Sequence, residues 1–450
     1  MSRLFGTDGV RGVANGDLTP ELMLQIGRAA ASLLPDGDHR PILVGRDTRI
    51  SGPMLEAALV AGITSVGRDA ISLGIVPTPA VASITRATGA AAGAVISASH
   101  NPIADNGIKF FGSDGFKIAD DLEDRIAAAL STELPRPTGT AIGTARVAQN
   151  LGRHYYDELY AGNVDLVGLH VVVDCGFGAA YAIAPYALRK LGATVTEINC
   201  EPDGSRINVE CGATDLRGLQ AAVRAQREAG VKAVVGVAFD GDADRVLFVD
   251  ETDAVVTGDH ILYALACSMQ SRGELAGGAV VATVMSNVGF ERALRARGIG
   301  LIRAAVGDRY VLERMRAGGY ALGGEQSGHV IDFRHNTTGD GVRTAITLLG
   351  VVAAQRSTLH DLVAAVVYAP QLLVNVRAER RDIIERTAVR TAIEHAEAAL
   401  GDSGRLLVRP SGTEPLIRVM AEGDDPNLVE EVVRRLAWQI EQEVARFASP

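Results

Sequence analysis

Aromatic residues are scarce in this 450-residue chain, at 4%, with a single tryptophan. Four cysteines, Cys175, Cys200, Cys211 and Cys267, are too few and too widely spaced for a disulfide framework or a close CxxC zinc pair. Positive charge is also in deficit. There are 44 Lys and Arg against 54 Asp and Glu, a formal net charge of -10. That balance excludes a broad nucleic-acid footprint but leaves room for a local basic pocket for a small anion. Every long apolar stretch is broken by Gly, Pro or charge before about 18 residues, so no membrane span is expected. The opening MSRLFGTDGVRG has no basic-then-apolar signal segment. Cytoplasm is the expected location.

Glycine is abundant, at 50 residues, and apolar residues make up 47%. At 100–200 residues per domain this length gives two to four domains. Much Gly and Ala alongside Val and Ile suits layered α/β packing with many tight turns. The pattern along the chain agrees. Leu22, Ile26, Ala29, Ala30 and Leu33 recur at helical spacing within 21–36. Strands are expected at 41–44, 70–73 and 94–96, with helices over 52–65 and 77–88. Residues 131–145, rich in Pro, Thr, Ser and Gly, read as a linker. A helix over 148–161 leads into a second unit with strands at 170–173, 194–198 and 233–238 and a helix over 214–228. A third unit opens near 259 with a helix to 270, strands at 279–284 and 301–305, and helices from 287 and 339. The tail differs: strands at 372–376 and 405–409 and helices over 385–400 and 426–445 suggest a small α+β domain. The expected divisions are 1–150, 151–255, 256–368 and 369–450. The expected fold is α/β, three related mixed-sheet units followed by a smaller C-terminal α+β domain.

Asp240, Asp242 and Asp244 alternate with small residues after an apolar strand. In an extended stretch all three carboxylates share one side, repel one another, and favour a cation; oxygen donors suit magnesium. A solubilising polar turn is the plainer reading. Ser97-Ala98-Ser99-His100-Asn101-Pro102 follows another short strand, where α/β enzymes place their loops. It is either an ordinary turn or a nucleophile loop in which one serine carries phosphate, with His100 and Lys109 as polar helpers. No GxSxG elbow and no GxxxxGK[ST] phosphate loop is present. Arg409-Pro410-Ser411-Gly412-Thr413-Glu414-Pro415, with Arg418 beyond, reads as an anion cradle or as a hairpin turn with basic flanks. Glu325, Gln326, Ser327 and His329 in a glycine-rich run can hydrogen-bond sugar hydroxyls, or form a flexible linker. Gly6–Gly12 is a similar turn carrying Arg11. His154, His170 and His335 read as structural or surface residues.

Taken together, GTDGVRG, SASHNP, NGIKFF (106–111), DGDADR, GGEQSGH and RPSGTEPLIRVM occur in one order over essentially the whole chain. In this the chain resembles the α-D-phosphohexomutase superfamily, and most closely its bacterial phosphoglucosamine mutases. Gln326 and Phe110-Phe111-Gly112 point to that subgroup. The resemblance implies four domains around a central cleft, the last one mobile. It implies an isomerase, an intramolecular phosphotransferase converting D-glucosamine 6-phosphate to D-glucosamine 1-phosphate through a bisphosphate. Ser99 matches the phosphoserine. One magnesium ion is implied on Ser99, Asp240, Asp242 and Asp244. Arg245 is placed near the reacting phosphate, Arg11 and His100 beside the phosphoserine, and Lys109 in proton transfer. Glu325, Ser327 and His329 match the sugar-recognition loop, with His329 near the reacting hydroxyl. Arg409, Ser411, Gly412, Thr413 and Arg418 match the grip on the non-reacting phosphate. The implied partner is a small amino-sugar phosphate, with neither nucleic acid nor membrane, and its product lies on the route to UDP-N-acetylglucosamine and the cell wall. No oligomeric state is read. Related readings are a glucose- or mannose-phosphate mutase, a phosphatase, and a sugar-phosphate sensor.

Overall fold

The computed structural model describes residues 4–6, 8–34, 40–162, 164–411 and 415–448. They form four sheets. In the first, the strands Ile42–Arg46, Ala70–Ile75, Ala92–Ile96 and Ala145–Val147 run parallel. Asp105–Gly112 returns antiparallel to Ala92–Ile96 and pairs on its far side with Val10–Val13. The second sheet repeats the plan. His170–Asp174, Thr194–Ile198 and Val234–Phe239 are parallel, and Val246–Val249 returns antiparallel. In the third, Ala279–Thr283 and Leu322–Gly324 are parallel, and Val330–Asp332 returns antiparallel. Each unit therefore has one parallel strand that turns straight back on itself. Those three turns are residues 97–104, 240–245 and 325–329. Loops at the carboxyl ends of parallel strands are where open α/β sheets place their ligands. The fourth sheet is antiparallel throughout, in the order Gln371–Arg377, Leu416–Gly423, Gly404–Pro410, with the helices Thr387–Leu400 and Pro426–Ala448 packed on it.

Local chemistry accounts for most element ends. The first long helix, Pro20–Leu33, starts where Thr19 Oγ1 accepts from Leu22 N at 3.2 Å and Pro20 presets the first turn. Met23, Ile26, Ala29 and Ala30 face its core at 0% exposure. The helix expected at 21–36 thus ends earlier, at Leu33. The expected helix over 148–161 is a 3-10 turn, Gln149–Gly152, followed by the helix Arg153–Tyr160. The expected helix at 214 begins at Arg217, after a 3-10 turn at Gly212–Thr214. The expected linker runs into a short edge strand, Ala145–Val147, that is exposed on every residue. The returning strands at 105–112, 246–249 and 330–332 carry no clear expectation from the sequence; they are short or buried on both faces, and such runs lack a telling period.

By contact the chain divides into two compact units, 1–283 with 302–364, and 284–301 with 365–450. Segment 284–301 belongs with the tail for a specific reason. Asn287 caps the helix Val288–Ala296 through Gly289 N and also exchanges two hydrogen bonds with the backbone of Ala369, at 2.9 and 3.1 Å. The buried Glu422 carboxylate accepts from Val288 N and pairs with Arg405. No described helix is long and apolar enough to cross a membrane.

His335 has a structural role in the first unit. Its Nε2 accepts from Arg343 Nη2 at 2.8 Å, and Arg343 Nη1 donates to the carbonyls of Glu158, Leu159 and Ala161. Burial, then the Arg343 charge, push the imidazole from 6.5 down to about 4. A depressed histidine refuses a proton that the unfolded chain accepts. Its contribution is therefore complete above pH 6.5 and is lost as pH falls towards 4. We expect the wild-type protein to lose roughly 2 kcal/mol over that window from this group. His335→Gln, which keeps an acceptor for Arg343, should show a flatter loss in urea unfolding at pH 7, 5.5 and 4.5. Equal slopes in both proteins would contradict it.

Candidate active site

The turn after Ala92–Ile96 treats its two serines differently. Ser97 Oγ donates to Asp47 Oδ2 at 2.6 Å and accepts from Ser99 N at 2.9 Å, so it points back into the first sheet. Ser99 is 1% exposed and sits at φ 51, a left-handed conformation that is strained for a residue with a Cβ. Its Oγ donates to Asp240 Oδ2 at 2.6 Å and lies 3.2 Å from His100 Nδ1. Burial, then Arg245 and Arg11, lower His100 to about 4, so the ring is neutral at pH 7.

Asp240, Asp242 and Asp244 follow the strand Val234–Phe239, in the turn that leads back along the sheet. All three are buried, and one carboxylate oxygen from each lies within 4.8 Å of the others. Thr78 Oγ1 donates to Asp242 Oδ2 at 2.6 Å, and Lys109 Nζ reaches Asp242 Oδ2 at 3.1 Å and Asp244 Oδ2 at 3.4 Å. The Oδ1 atoms of Asp242 and Asp244 are buried without a hydrogen-bond partner among the described residues. Orphaned, convergent carboxylate oxygens are costly in a buried site, and an all-oxygen donor set suits a hard divalent cation such as magnesium. Burial, then Asp244 and Asp242, push Asp240 well above the carboxylate range. Asp244 is held well below it: burial raises it, but Lys109 and His329 outweigh that. Burial lowers Lys109, yet Asp242 and Asp244 keep it raised, so it is a cation at any physiological pH. Gly241 is required by packing. A Cβ there would lie 2.6 Å from the Ser99 carbonyl oxygen.

The third turn closes on the second. Arg245 and His329 form an antiparallel bridge, and Val246 N donates to Gly328 O at 3.1 Å. Arg245 N donates to Asp240 Oδ1 at 3.2 Å, while its Nε lies 3.9 Å from Asp244 Oδ1. Glu325 is held through Oε1 by Gly307 N at 3.1 Å and through Oε2 by Ser327 Oγ at 3.2 Å. His329 is 2% exposed, with Nδ1 3.7 Å from Asp244 Oδ2. Burial lowers its pKa, but Asp244 raises it further, to about 9. Gly339 N donates to Nε2 at 3.2 Å, a contact that needs a lone pair there and so opposes the protonation that Asp244 favours. A Cβ on Gly339 would fall 2.4 Å from the ring, so glycine lets that segment cross it. Arg11 donates to Asn101 Oδ1 at 3.2 Å and pairs with Asp8 at 3.3 Å.

In the second unit, Arg409 and Arg418 are directly opposed on neighbouring antiparallel strands. Like charges so placed repel, which an anion would relieve. Burial, then Arg418, lower Arg409. Ser411 is buried, its amide donating to Leu416 O at 2.7 Å. Gly412 and Thr413 lie outside the described residues.

The first unit therefore gathers Arg11, Ser99, His100, Lys109, Asp240, Asp242, Asp244, Arg245, Glu325, Ser327 and His329, which the sequence scatters over more than 300 positions. Sequence reasoning missed Asp47, Arg49, Thr78, Asn208 and Asp308. The run Gly45-Arg46-Asp47-Thr48-Arg49 after a strand was the one available signal. Asp308, pushed up to about 6 by burial and then by Asp8, had none.

Four family models match the chain: phosphoglucomutase/phosphomannomutase alpha/beta/alpha domain I over 2–136, domain II over 153–254, domain III over 257–368, and the C-terminal domain over 373–438. A protein of a Thermoanaerobacter species named phosphoglucosamine mutase is 50% identical over 451 residues, covering 99% of this chain and 100% of the relative. One from Saccharopolyspora erythraea with the same name is 52% identical, covering 97% and 98%. Among solved structures, a phosphoglucomutase/phosphomannomutase family protein from Burkholderia thailandensis has the same fold, with a TM-score of 0.82 at 24% identity over 98% of each chain.

Proposed function

Since the chain belongs to the phosphoglucomutase/phosphomannomutase family, we propose that it interconverts D-glucosamine 6-phosphate and D-glucosamine 1-phosphate, with Ser99 as the phosphate carrier. One observation carries the chemistry: Ser99 Oγ lies 2.6 Å from a buried cluster of three carboxylates. The amino sugar follows the name borne by relatives about half identical over their full length.

The phosphoryl group passes from Ser99 Oγ to O1 of glucosamine 6-phosphate. The Oγ–P bond breaks as the O1–P bond forms, and the O1 proton leaves to solvent or a neighbouring acceptor. The 1,6-bisphosphate turns round, its O6 phosphoryl returns to Ser99, and O6 regains a proton. Magnesium, held by Asp240, Asp242, Asp244 and a Ser99 phosphate oxygen, would neutralise charge on the moving phosphoryl oxygens. Arg245, already drawn to Asp244, adds a forked cation to the same task, and Arg11 a second. Lys109 keeps the carboxylates in register by touching two of them. Neutral His100 offers a ring nitrogen beside Oγ. Glu325 and Ser327, locked to each other and to Gly307, present fixed acceptors to sugar hydroxyls. Arg409, Ser411 and Arg418, with Gly412 and Thr413, address phosphate rather than ring, which lets one grip serve both ends of the sugar. This reading keeps the divisions 1–150, 151–255, 256–368 and 369–450, and a cytoplasmic enzyme.

The test is kcat/KM for the 6-phosphates of glucosamine, glucose and mannose. The amino sugar should lead by about tenfold or more, a discrimination well within reach of one recognised polar group. Glucose or mannose 6-phosphate at parity would remove the amino-sugar assignment. Free phosphate without isomer would replace the mutase with a phosphatase.

A further inference from the structure

We infer that Arg49 and Asn208 are positioning residues, gripping the Ser99 carbonyl from two sides and so holding the left-handed backbone that aims Ser99 Oγ at the carboxylates. This rests on Ser99 as the phosphate carrier.

Arg49 is 0% exposed. A buried guanidinium is tolerable only when its donors are used and its charge is paired. Here Nε donates to Asp47 Oδ2 at 3.1 Å. Nη1 donates to the carbonyls of Pro102 at 2.6 Å and Asp105 at 2.9 Å, and Nη2 to those of Ser99 at 3.0 Å and Asn101 at 2.8 Å. Three carbonyls of the turn and the first of the returning strand thus meet one planar fork. Asp47 ties the fork to the side chain that orients Ser99 N, since the same Oδ2 accepts from Ser97 Oγ. A lysine cannot replace this, because its donors radiate from a single nitrogen.

The second grip comes from the loop between the strand Thr194–Ile198 and the 3-10 turn Gly212–Thr214. Asn208 Nδ2 donates to Ser99 O at 2.8 Å, while its own amide is fixed on Gly176 O. Gly241 of the carboxylate turn packs on the same oxygen, and a Cβ there would also lie 2.9 Å from Asn208 Nδ2. The Ser99 carbonyl is thus the point where the serine turn meets the carboxylate turn. A strained conformation at a functional residue persists only where its surroundings over-determine it, and these contacts supply that. Arg49 and Asn208 bond the Ser99 carbonyl, whereas Oγ bonds Asp240, so each acts through the backbone.

The variants are Arg49→Lys and Asn208→Ala in the full chain. Each is compared with wild type for kcat and KM on glucosamine 6-phosphate, for urea unfolding, and for the 31P resonance of protein loaded from glucose 1,6-bisphosphate. We expect kcat to fall about a hundredfold for Arg49→Lys and about tenfold for Asn208→Ala, the scale of a small misplacement of a reacting group. KM should stay within about threefold, since neither residue is placed on substrate. The phosphoserine resonance should shift or broaden in both, which a general loss of stability would not produce in the folded fraction. Should Arg49→Lys fail to fold, Asn208→Ala decides alone. Wild-type kcat and an unchanged resonance in the folded variants would overturn the inference, as would a raised KM at unchanged kcat. A wild-type protein that carries no phosphate on Ser99 would instead overturn the carrier reading, and this inference with it.

Discussion

Ser99→Ala should leave a folded protein whose kcat is at least about a thousandfold lower, the scale on which loss of a covalent nucleophile is measured. No neighbouring hydroxyl can take over. Ser97 is two residues away, but its Oγ is committed to Asp47 and to the Ser99 amide. Thr78 reaches the same cluster, yet its hydroxyl donates to Asp242. The substitution removes one donor to Asp240 Oδ2 and costs about 1–3 kcal/mol, which a domain stable by 5–15 kcal/mol survives. Intact mass after incubation with glucose 1,6-bisphosphate checks it directly. The wild-type chain should gain one phosphoryl group and the variant none. A variant that turns over at the wild-type rate would end the carrier role of Ser99.

Asp242→Asn should separate activity from stability. The asparagine carbonyl can replace Oδ2, keeping the bonds from Thr78 and Lys109. Its amide nitrogen then replaces Oδ1, which lacks a hydrogen-bond partner among the described residues, and can donate to the neighbouring carboxylates. One negative charge leaves a buried like-charge cluster. We therefore expect the Tm in chelator to hold or rise. In the wild type, magnesium should raise Tm through binding to the folded state alone; in the variant that rise should vanish, because an anionic ligand is gone. kcat should drop about a hundredfold, the scale of losing one electrostatic stabiliser at a developing charge. Differential scanning fluorimetry with and without magnesium reads the first effect and steady-state kinetics the second. An unchanged response to magnesium would refute the ligand role.

Much of this site is legible in the amino-acid sequence. Strand followed by DGDADR announced a carboxylate cluster, but the expected extended alternation is not what gathers it: residues 240–245 turn, with Ala243 at φ 55 and its amide on Asp240 O at 3.1 Å. The order of the motifs identified the family and, through it, chose Ser99 over Ser97. In the structure the Ser99 hydroxyl donates to Asp240 of the three-carboxylate cluster and the Ser97 hydroxyl donates to Asp47. His329 illustrates the opposite case. The resemblance implied a role near the reacting hydroxyl, but its protonation is governed by Asp244 and the Gly339 amide, which no local pattern encodes. Arg49 had only the weak signal of a polar run at a strand end. An arginine after a strand reads as surface until the turn it supports is folded around it.

The sequence by itself determined the α/β class, the family, and the residue types that each chemical task requires. The class and the residue types follow from periodicity, turn composition and spacing, which act within about ten residues; the family follows from the resemblance of motifs ordered along the whole chain. Tertiary structure alone decided which atoms meet. The 2.6 Å contact between Ser99 and Asp240 spans 141 positions, and the grip on the Ser99 carbonyl joins positions 49, 99 and 208. Such contacts arise when separate sheets bury their faces and leave polar groups that must find partners. Burial then sets the charge states, raising Asp240 and helping to hold His100 neutral, which no reading of the chain as a string contains.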